Sequence, residues 1–259
     1  MWGRAPRPSK PSAARPHHGH VSDAAMSIAE NIAKVRERIA AAAHRANRNP
    51  EEITLMGVGK TFPAERIREA YTAGLRVFGE NRVQEFAAKA DALRDLRDIE
   101  WHLIGHLQTN KAAKAAELFD AVDSVDSVRM AEKLNAFAES ASKTLSILIE
   151  INVGGEEAKN GVAPDLDELE RVLQGGPRWG HLKIRGLMTV PPYTEDPEGS
   201  RHYFRQMCHI RDRIAARALP KIGTAVLSMG MSHDFEVAIE EGATCVRVGT
   251  AVFGSRAKG

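Results

Sequence analysis

Short runs of apolar and β-branched residues alternate along the chain with longer segments in which apolar residues recur every three or four positions. A short apolar run is typical of a buried strand, and the longer spacing is typical of a helix that packs one face on a core. We predict eight strands, at residues 53–60, 76–80, 100–105, 121–125, 145–153, 182–190, 224–230 and 244–254. A helix is predicted after each of the first seven strands, and an extra helix, at about residues 27–45, precedes the first.

This strict alternation predicts an α/β protein with a parallel sheet whose helices lie outside it. Eight units in about 230 residues match a single (β/α)8 TIM barrel. An open doubly wound sheet is the competing architecture, but the chain has no dinucleotide-binding glycine motif to support it. We therefore expect one barrel domain, residues 26–259, that includes the extra N-terminal helix.

Residues 1–25 differ from the rest in composition. They hold four arginines and lysines against one acid, Asp23, so their net charge is +3. Because the whole chain has a net charge of +2, the remaining residues carry −1. The segment is rich in proline and poor in large aliphatic residues, so we predict a disordered, inert extension, with a transit peptide as the alternative. The near-neutral remainder argues against a nucleic-acid partner.

The cysteine count and the hydropathy pattern bear on where the protein works. Cys208 and Cys245 are too few for a disulfide framework, which favours a reducing cytoplasm. No apolar run approaches the roughly 18 to 20 residues of a membrane-spanning helix. We expect a cytoplasmic protein without a membrane partner.

Chemically distinctive residues cluster where the predicted strands end. Lys60 ends the first strand, and the stretches "GEN" (79–81) and "SMGMS" (228–232) end the second and the seventh. Arg247, Gly249 and Thr250 lie on or beyond the eighth. Because barrel enzymes build their sites from the carboxyl ends of the strands, the sequence predicts one functional site at this rim.

Lys60 has three possible roles: a phosphate-binding charge, a nucleophile, or an ordinary surface lysine. A phosphate-binding P-loop would need glycine at position 54, where the chain has Thr54. Phosphate is better accommodated between the loops after strands 7 and 8, a frequent arrangement in these barrels. The alternative is that Gly230 and Gly249 in these loops only relieve crowding.

Arg247 alternates with Val246 and Val248 along its strand, so it faces the opposite side. If the valines pack on helices, Arg247 points into the barrel, where a guanidinium needs an acceptor. One interpretation is an ion pair with Glu80 or Glu150, and the other is a ligand atom.

Lys60 and Arg247 together suggest pyridoxal 5′-phosphate (PLP) as the ligand. PLP supplies an aldehyde for a lysine, a phosphate for the loops after strands 7 and 8, and a pyridine nitrogen for an arginine. An arginine at that nitrogen keeps it unprotonated, which makes the ring a poorer electron sink than one paired with aspartate.

Several stretches resemble one known family, from about Ile32 to Arg256. They are "VGKTFP", "FGENRVQE", "WHLIGHLQTNK", "VDSVDSV", "INVGGEEAKNGV", "RGLMTVPP" and "LSMGMSHDFEVAIEEGATCVRVGTAVFGSR". On these the chain is identified as a member of the pyridoxal phosphate homeostasis proteins, the YggS/PROSC family, which resemble the barrel domain of alanine racemase. The resemblance implies an alanine racemase-like barrel that binds, buffers and delivers PLP.

The resemblance also implies roles for individual residues. Lys60 would form an aldimine with PLP, Arg247 would meet the pyridine nitrogen, and Asn81 would lie near the ring. The implied phosphate site consists of Ser228, the Met231 backbone, Ser232, Gly249 and Thr250. The chain departs from the family pattern at Gly59, Gly154 and Ala158, where serine is usual; the changes at Gly154 and Ala158 put the role of their loop in doubt.

The alternative function is a PLP-dependent enzyme with weak amino-acid racemase or transaminase activity. The related racemases use a tyrosine from a second domain, and the chain ends five residues past Gly254, so we expect a monomeric carrier without committed catalysis. A phosphate-binding module without PLP is a third possibility. Apoenzymes that need PLP are the expected partners. His102 and His106 are spaced for a metal only on a helix, so we predict no metal site.

Overall fold

The computed structural model describes residues 26–156, 160–164 and 166–254, and for residues 166–168 it describes the backbone only. The predicted extension at 1–25 lies outside the described residues, as do Ala158 and its neighbours in the 154–161 loop.

Eight parallel strands close into a barrel in which each strand pairs with the next and β1 pairs with β8. The strands are β1 (Thr54–Val58), β2 (Val77–Glu80), β3 (Glu100–Leu103), β4 (Ala121–Val125), β5 (Leu145–Glu150), β6 (Leu182–Met188), β7 (Ile222–Met231) and β8 (Cys245–Val248). The predicted (β/α)8 barrel is therefore confirmed, and the open sheet is excluded because its edge strands would not pair.

Helices follow every strand of the barrel. The helices are α1 (Ile28–Arg45), α2 (Ala64–Thr72), α3 (Val83–Leu93), α4 (Ala112–Leu118), α5 (Val128–Ser140), α6 (Leu166–Gly175), α7 (Arg201–Ala216), α8 (Phe235–Glu240) and α9 (Thr250–Phe253). Short 3₁₀ turns lie at Pro50–Glu52, Thr109–Lys111, Gly176–Arg178 and Pro197–Ser200. The main apolar core lies between the outer face of the sheet and these helices.

The extra N-terminal helix, α1, is confirmed close to its predicted bounds. Ser27 and Glu30 form a reciprocal capping box that satisfies backbone amides at the helix start. Apolar residues at helical spacing, from Ile28 to Ile39, are buried, where α1 lies against α8 and α9. Arg38 adds an ion pair to Glu236 on α8 at 3.1 Å.

The predicted C-terminal boundary of the last strand is wrong. The strand was predicted over 244–254, whereas β8 ends at Val248 and residues 250–253 form α9. Gly249 turns the chain out of the sheet with φ −103° and ψ −80°. Val252 and Phe253 are then buried in the outer core, a placement that the apolar run alone could not distinguish from a strand.

Candidate functional site

Closure of the barrel brings the first strand, β1, next to the last strand, β8. Met56 on β1 is the register partner of Arg247 on β8, and a Cβ on Gly249 would lie 3.6 Å from the Cβ of Val58. Lys60 stands two residues beyond Val58 and is half-buried. The segment after β1, which carries Lys60, therefore lies next to the segment after β8, which begins at Gly249.

The remaining candidate residues lie on the strands that flank this pair. Met231, at the end of β7, is the register partner of Arg247, and Asn81 directly follows β2. The backbone oxygen of Asn81 would lie 2.3 Å from a Cβ on Gly105, so the loops after β2 and β3 are in close contact there. The predicted site residues thus lie on, or shortly after, four consecutive strands of the closed barrel, in the order β7, β8, β1 and β2.

Arg247 points into the barrel, as its alternation with the valines predicts. Val246 and Val248 belong to the outer apolar core, whereas the Arg247 side chain donates from Nη1 to Ser228 Oγ at 2.8 Å and from Nη2 to the Thr189 carbonyl at 2.7 Å. Arg247 is only 3% exposed, and burial lowers the pKa of its guanidinium. Both partners are neutral.

The ion pair that was one interpretation of Arg247 is not formed. Glu80 instead contacts Lys89, whose Nζ lies 2.7 Å from Glu80 Oε1. Glu150, the last residue of β5, has a buried Oε2 without a hydrogen-bond partner among the described residues. Burial, aided by the nearby Asp126, raises the pKa of Glu150 to about 7, although the Arg247 charge opposes this rise. The barrel mouth therefore holds a buried cation and a buried carboxyl group that do not pair.

Ser228, which the resemblance places among the phosphate contacts, lies in the barrel wall next to Arg247. It is fully buried in the wall of β7, and its hydroxyl accepts from Arg247. The structure therefore brings Ser228 to the guanidinium, and its contact with a phosphate stays a prediction.

The loops after β7 and β8 contact each other at the rim. Ser232 Oγ accepts from the amide of Gly249 at 3.2 Å and from that of Ala251 at 3.5 Å. The Met231 amide donates to Asp234 Oδ1 at 2.7 Å, which shapes the turn before α8. Backbone amides and hydroxyl groups, the donors that phosphate requires, are thus concentrated at the predicted anion site, together with the exposed Thr250.

Gly230 is required by the local backbone. Its φ is +90°, and a Cβ would lie 2.6 Å from the Ala238 Cβ and 2.9 Å from the Phe235 Cα. The loop after β7 can therefore pack closely on α8 only with glycine there. This supports the crowding interpretation for Gly230 and leaves the phosphate interpretation of the loop open.

Two polar side chains inside the fold were not predicted from the sequence: Asp123, which is buried, and Lys89, which is largely buried. Asp123 on β4 lies 2.9 Å from His102 Nδ1 inside the barrel, and Lys89 on α3 lies beneath the Lys60 loop, 2.9 Å from the Gly59 carbonyl. Lys89 carries a signal in hindsight, because it occupies the same helical face as the buried Phe86 and Leu93. A lysine on an apolar face needs a buried acceptor.

The histidines are accounted for separately. His106 Nδ1 lies 3.3 Å from Asp126 at the rim, apart from the interior contact of His102. In the described part of the chain no three histidine, cysteine or carboxylate side chains come together as a metal site would need. Within the same residues, no helix combines the length and apolarity that crossing a membrane requires.

Comparison with known proteins gives consistent matches. Residues 27–257 match the alanine racemase N-terminal domain. A pyridoxal phosphate homeostasis protein from Aquifex aeolicus is 47% identical over 234 residues, which cover 89% of this chain and 99% of that protein.

Solved structures agree with the sequence matches. PipY from Synechococcus elongatus PCC7942, solved with PLP bound, superposes with a TM-score of 0.76 at 38% identity, covering 88% of this chain and all of PipY (100%). An alanine racemase from Clostridium difficile 630 gives a TM-score of 0.65 at 15% identity and covers 89% of this chain, but the match spans only 57% of the racemase. This second likeness shows a shared barrel fold.

Proposed function

Because the chain belongs to the family of pyridoxal phosphate homeostasis proteins, we propose that it binds PLP and serves in the homeostasis of that cofactor. The observation that carries the proposal is the buried guanidinium of Arg247, which donates hydrogen bonds to two neutral acceptors. Arg247 lies on β8, which pairs with β1, the strand that leads to Lys60. A buried charge without a carboxylate partner is costly unless a ligand supplies an acceptor. A pyridine nitrogen is such an acceptor.

The residues at the rim fit the three functional groups of PLP. Lys60 Nζ is the nucleophile for the aldehyde carbon, and the aldehyde oxygen leaves as water together with the two amine protons. Arg247 donates to the ring nitrogen, and Asn81 lies beside the ring. Bound PLP supplies a reversible electrophile that can be taken up and released.

The phosphate belongs between the loops after β7 and β8. Ser232 already joins these loops through the amides of Gly249 and Ala251. A phosphate oxygen there would receive hydrogen bonds from backbone amides and from the hydroxyls of Ser232 and Thr250. The Met231 amide donates to Asp234, so a phosphate contact of that amide would replace this hydrogen bond. Ser228 holds Arg247 in place.

Delivery of PLP is favoured over amino-acid catalysis. Arginine donates a hydrogen bond to the ring nitrogen but does not transfer its proton to it, because the guanidinium does not titrate in proteins. The ring therefore withdraws electrons weakly, and substrate carbanions are poorly stabilised. Tyr193, after β6, is 79% exposed and lies beside His233 with the rings tilted and their centroids 5.4 Å apart. It is therefore not enclosed with a substrate as an acid–base group would be.

The proposal includes a monomer that works in the cytoplasm and transfers PLP to apoenzymes. The free thiols of Cys208 and Cys245 suit a reducing compartment. Transfer of PLP requires that the site be accessible to a partner or to solvent. A site formed by loops at the barrel rim meets this requirement.

Three measurements test this function. After PLP is added and the unbound cofactor is removed by gel filtration, the purified protein should retain an absorption band near the visible region. Incubation of this complex with a PLP-requiring apoenzyme should restore that enzyme's activity. A panel of L- and D-amino acids with chiral analysis should give no efficient turnover. Fast racemisation or transamination would contradict the carrier function, and absence of any PLP-dependent band would contradict PLP binding.

A further inference from the structure

Lys89, on helix α3, contacts the loop that carries Lys60 on both sides of that residue. Its Nζ donates to the carbonyl of Gly59 at 2.9 Å and to the carbonyl of Phe62 at 3.2 Å. These two carbonyls bracket Lys60 and Thr61 in the chain. The ammonium group therefore ties both ends of the turn to one point on α3.

The Lys89 ammonium also forms an ion pair with Glu80. Glu80 Oε1 lies 2.7 Å from Nζ, and the side chains of the lysine and the glutamate are 10% and 0% exposed. An ammonium has three N–H groups, and here three oxygen atoms lie within 3.2 Å of it. Lys89 is thus committed to fixed acceptors, and Glu80 at the end of β2 anchors it to the barrel.

The turn that Lys89 holds is a strained one. Thr61 has a φ of +66°, a conformation that is unfavourable for a β-branched residue. The Phe62 amide donates to the Gly59 carbonyl at 3.1 Å to close the turn, and Glu85 of α3 accepts from the Thr61 amide. A strained turn persists only when its surroundings hold it, and α3 supplies two residues that do so, Lys89 and Glu85.

We propose that Lys89 is a positioning residue for Lys60. By holding the carbonyls of Gly59 and Phe62, it fixes the turn so that the Lys60 amine is presented to the cofactor aldehyde in one orientation. This inference rests on the proposed PLP-binding function and adds a residue to it. Orientation of a nucleophile controls the rate of bond formation, and a misplacement of about 1 Å can cost about a hundredfold.

The test separates bond formation from anchoring. The rate of covalent adduct formation with PLP is followed by stopped-flow absorbance, and the affinity for pyridoxine 5′-phosphate, which has no aldehyde, is measured by calorimetry. For Lys89→Met we expect the adduct rate to fall by about tenfold or more, while the affinity for the aldehyde-free analogue changes less than about twofold. Lys114→Met removes an exposed lysine that pairs with Glu117 and should leave both values unchanged.

A double variant separates positioning from simple stability. Lys89→Met alone leaves Glu80 buried without its counter-ion, so unfolding is expected at lower temperature. Glu80→Gln combined with Lys89→Met removes that buried charge and should recover much of the lost thermal stability, whereas the adduct rate should stay low. In both variants the amides of Thr61 and Phe62 should exchange hydrogen faster in the PLP-free protein, because the turn has lost its support.

The outcomes distinguish this inference from the proposed function. If the wild-type protein forms no adduct at Lys60, the proposed function fails. If the wild type forms it, then an unchanged rate in Lys89→Met, or a rate that recovers together with stability in the double variant, overturns the positioning role. Faster exchange at residues 61–62 combined with a slower rate and an unchanged analogue affinity supports it.

Discussion

Arg247 Nη1 donates to Ser228 Oγ across 2.8 Å inside the barrel. Together with the Thr189 carbonyl, this contact holds a guanidinium below the rim through neutral hydrogen-bond acceptors. The carboxyl groups of Asp123, Glu150 and Asp234 favour its charge without accepting a hydrogen bond from it, so a ligand acceptor would complete its hydrogen bonding. This geometry is what supports PLP binding beside Arg247.

Replacing Arg247 should weaken PLP binding without abolishing the covalent bond. Arg247→Met removes a charged donor whose hydrogen bond is worth roughly 1.5–3 kcal/mol, so the PLP dissociation constant should rise about ten- to hundredfold. Equilibrium titration of PLP absorbance measures this change. Arg36→Met, at an exposed arginine on α1, is the control. Equal affinities in the wild type and Arg247→Met would show that the guanidinium does not face the ring.

Ser232 should affect the phosphate and not the ring. Its hydroxyl joins the loops after β7 and β8 through the Gly249 amide, and one neutral hydrogen bond contributes about 1 kcal/mol. Ser232→Ala should therefore weaken PLP binding about fivefold and leave binding of pyridoxal, which lacks the phosphate, nearly unchanged. The ratio of the two dissociation constants is the readout. An equal loss for both ligands would place the phosphate elsewhere.

The number of strands and the orientation of Arg247 could be predicted from the sequence. The alternation of Val246, Arg247 and Val248 was sufficient, because successive side chains of a strand face opposite sides. The neighbourhood of Lys60 and Gly249 could not be derived from local pattern alone, since they are 189 positions apart and adjoin only because β1 pairs with β8. The count of eight βα units predicted a closed barrel, but the count alone did not prove that β1 pairs with β8.

The interior contacts were less predictable. Lys89 and Glu80 are common residues on a helix and a strand, and nothing local indicates that their side chains meet. Asp123 and His102 likewise come from adjacent strands whose register is set by the whole barrel. The end of β8 was misjudged because Val252 and Phe253 suit a buried strand and a buried helix equally well.

Glu150 should make the ligand-free protein less stable as the pH rises. Burial raises the pKa of this carboxyl from 4.5 to about 7, so the folded state binds its proton more tightly than the unfolded state does. The free energy of unfolding therefore falls as the pH rises between about 4.5 and 7. Glu150→Gln cannot ionise and should gain about 1–3 kcal/mol over the wild type between pH 4.5 and pH 8.

Urea denaturation of the ligand-free proteins at the two pH values measures the gain of Glu150→Gln. Glu139→Gln, at an exposed position on α5, controls for the loss of one negative charge. A constant difference between Glu150→Gln and the wild type across this pH range would mean that Glu150 ionises normally in the folded protein.

The pair of His102 and Asp123 should stabilise the barrel interior. Burial lowers the pKa of His102, but Asp123 and Glu100 outweigh it and raise that pKa to about 10. A raised folded pKa stabilises the protein fully below the unfolded value of 6.5 and loses that contribution as the pH rises through about 10. Asp123→Asn should therefore cost about 2–4 kcal/mol at pH 6 and less at pH 10.5.

Two measurements check the His102 prediction. Denaturation at pH 6 and pH 10.5 gives the loss of stability, and a proton NMR titration follows the His102 ring. A ring that titrates near pH 6.5 in the wild type would contradict the charged pair.

The central claim is that Lys60 forms the bond to PLP. Borohydride reduction of the PLP-treated protein, followed by digestion and mass spectrometry, identifies the modified residue directly. We predict one stable pyridoxyl group on the peptide that contains Lys60, none on the peptide that contains Lys89, and no reducible adduct in Lys60→Ala, which should still bind PLP weakly through its phosphate. A pyridoxyl group on another lysine, or full labelling of Lys60→Ala, would contradict the account.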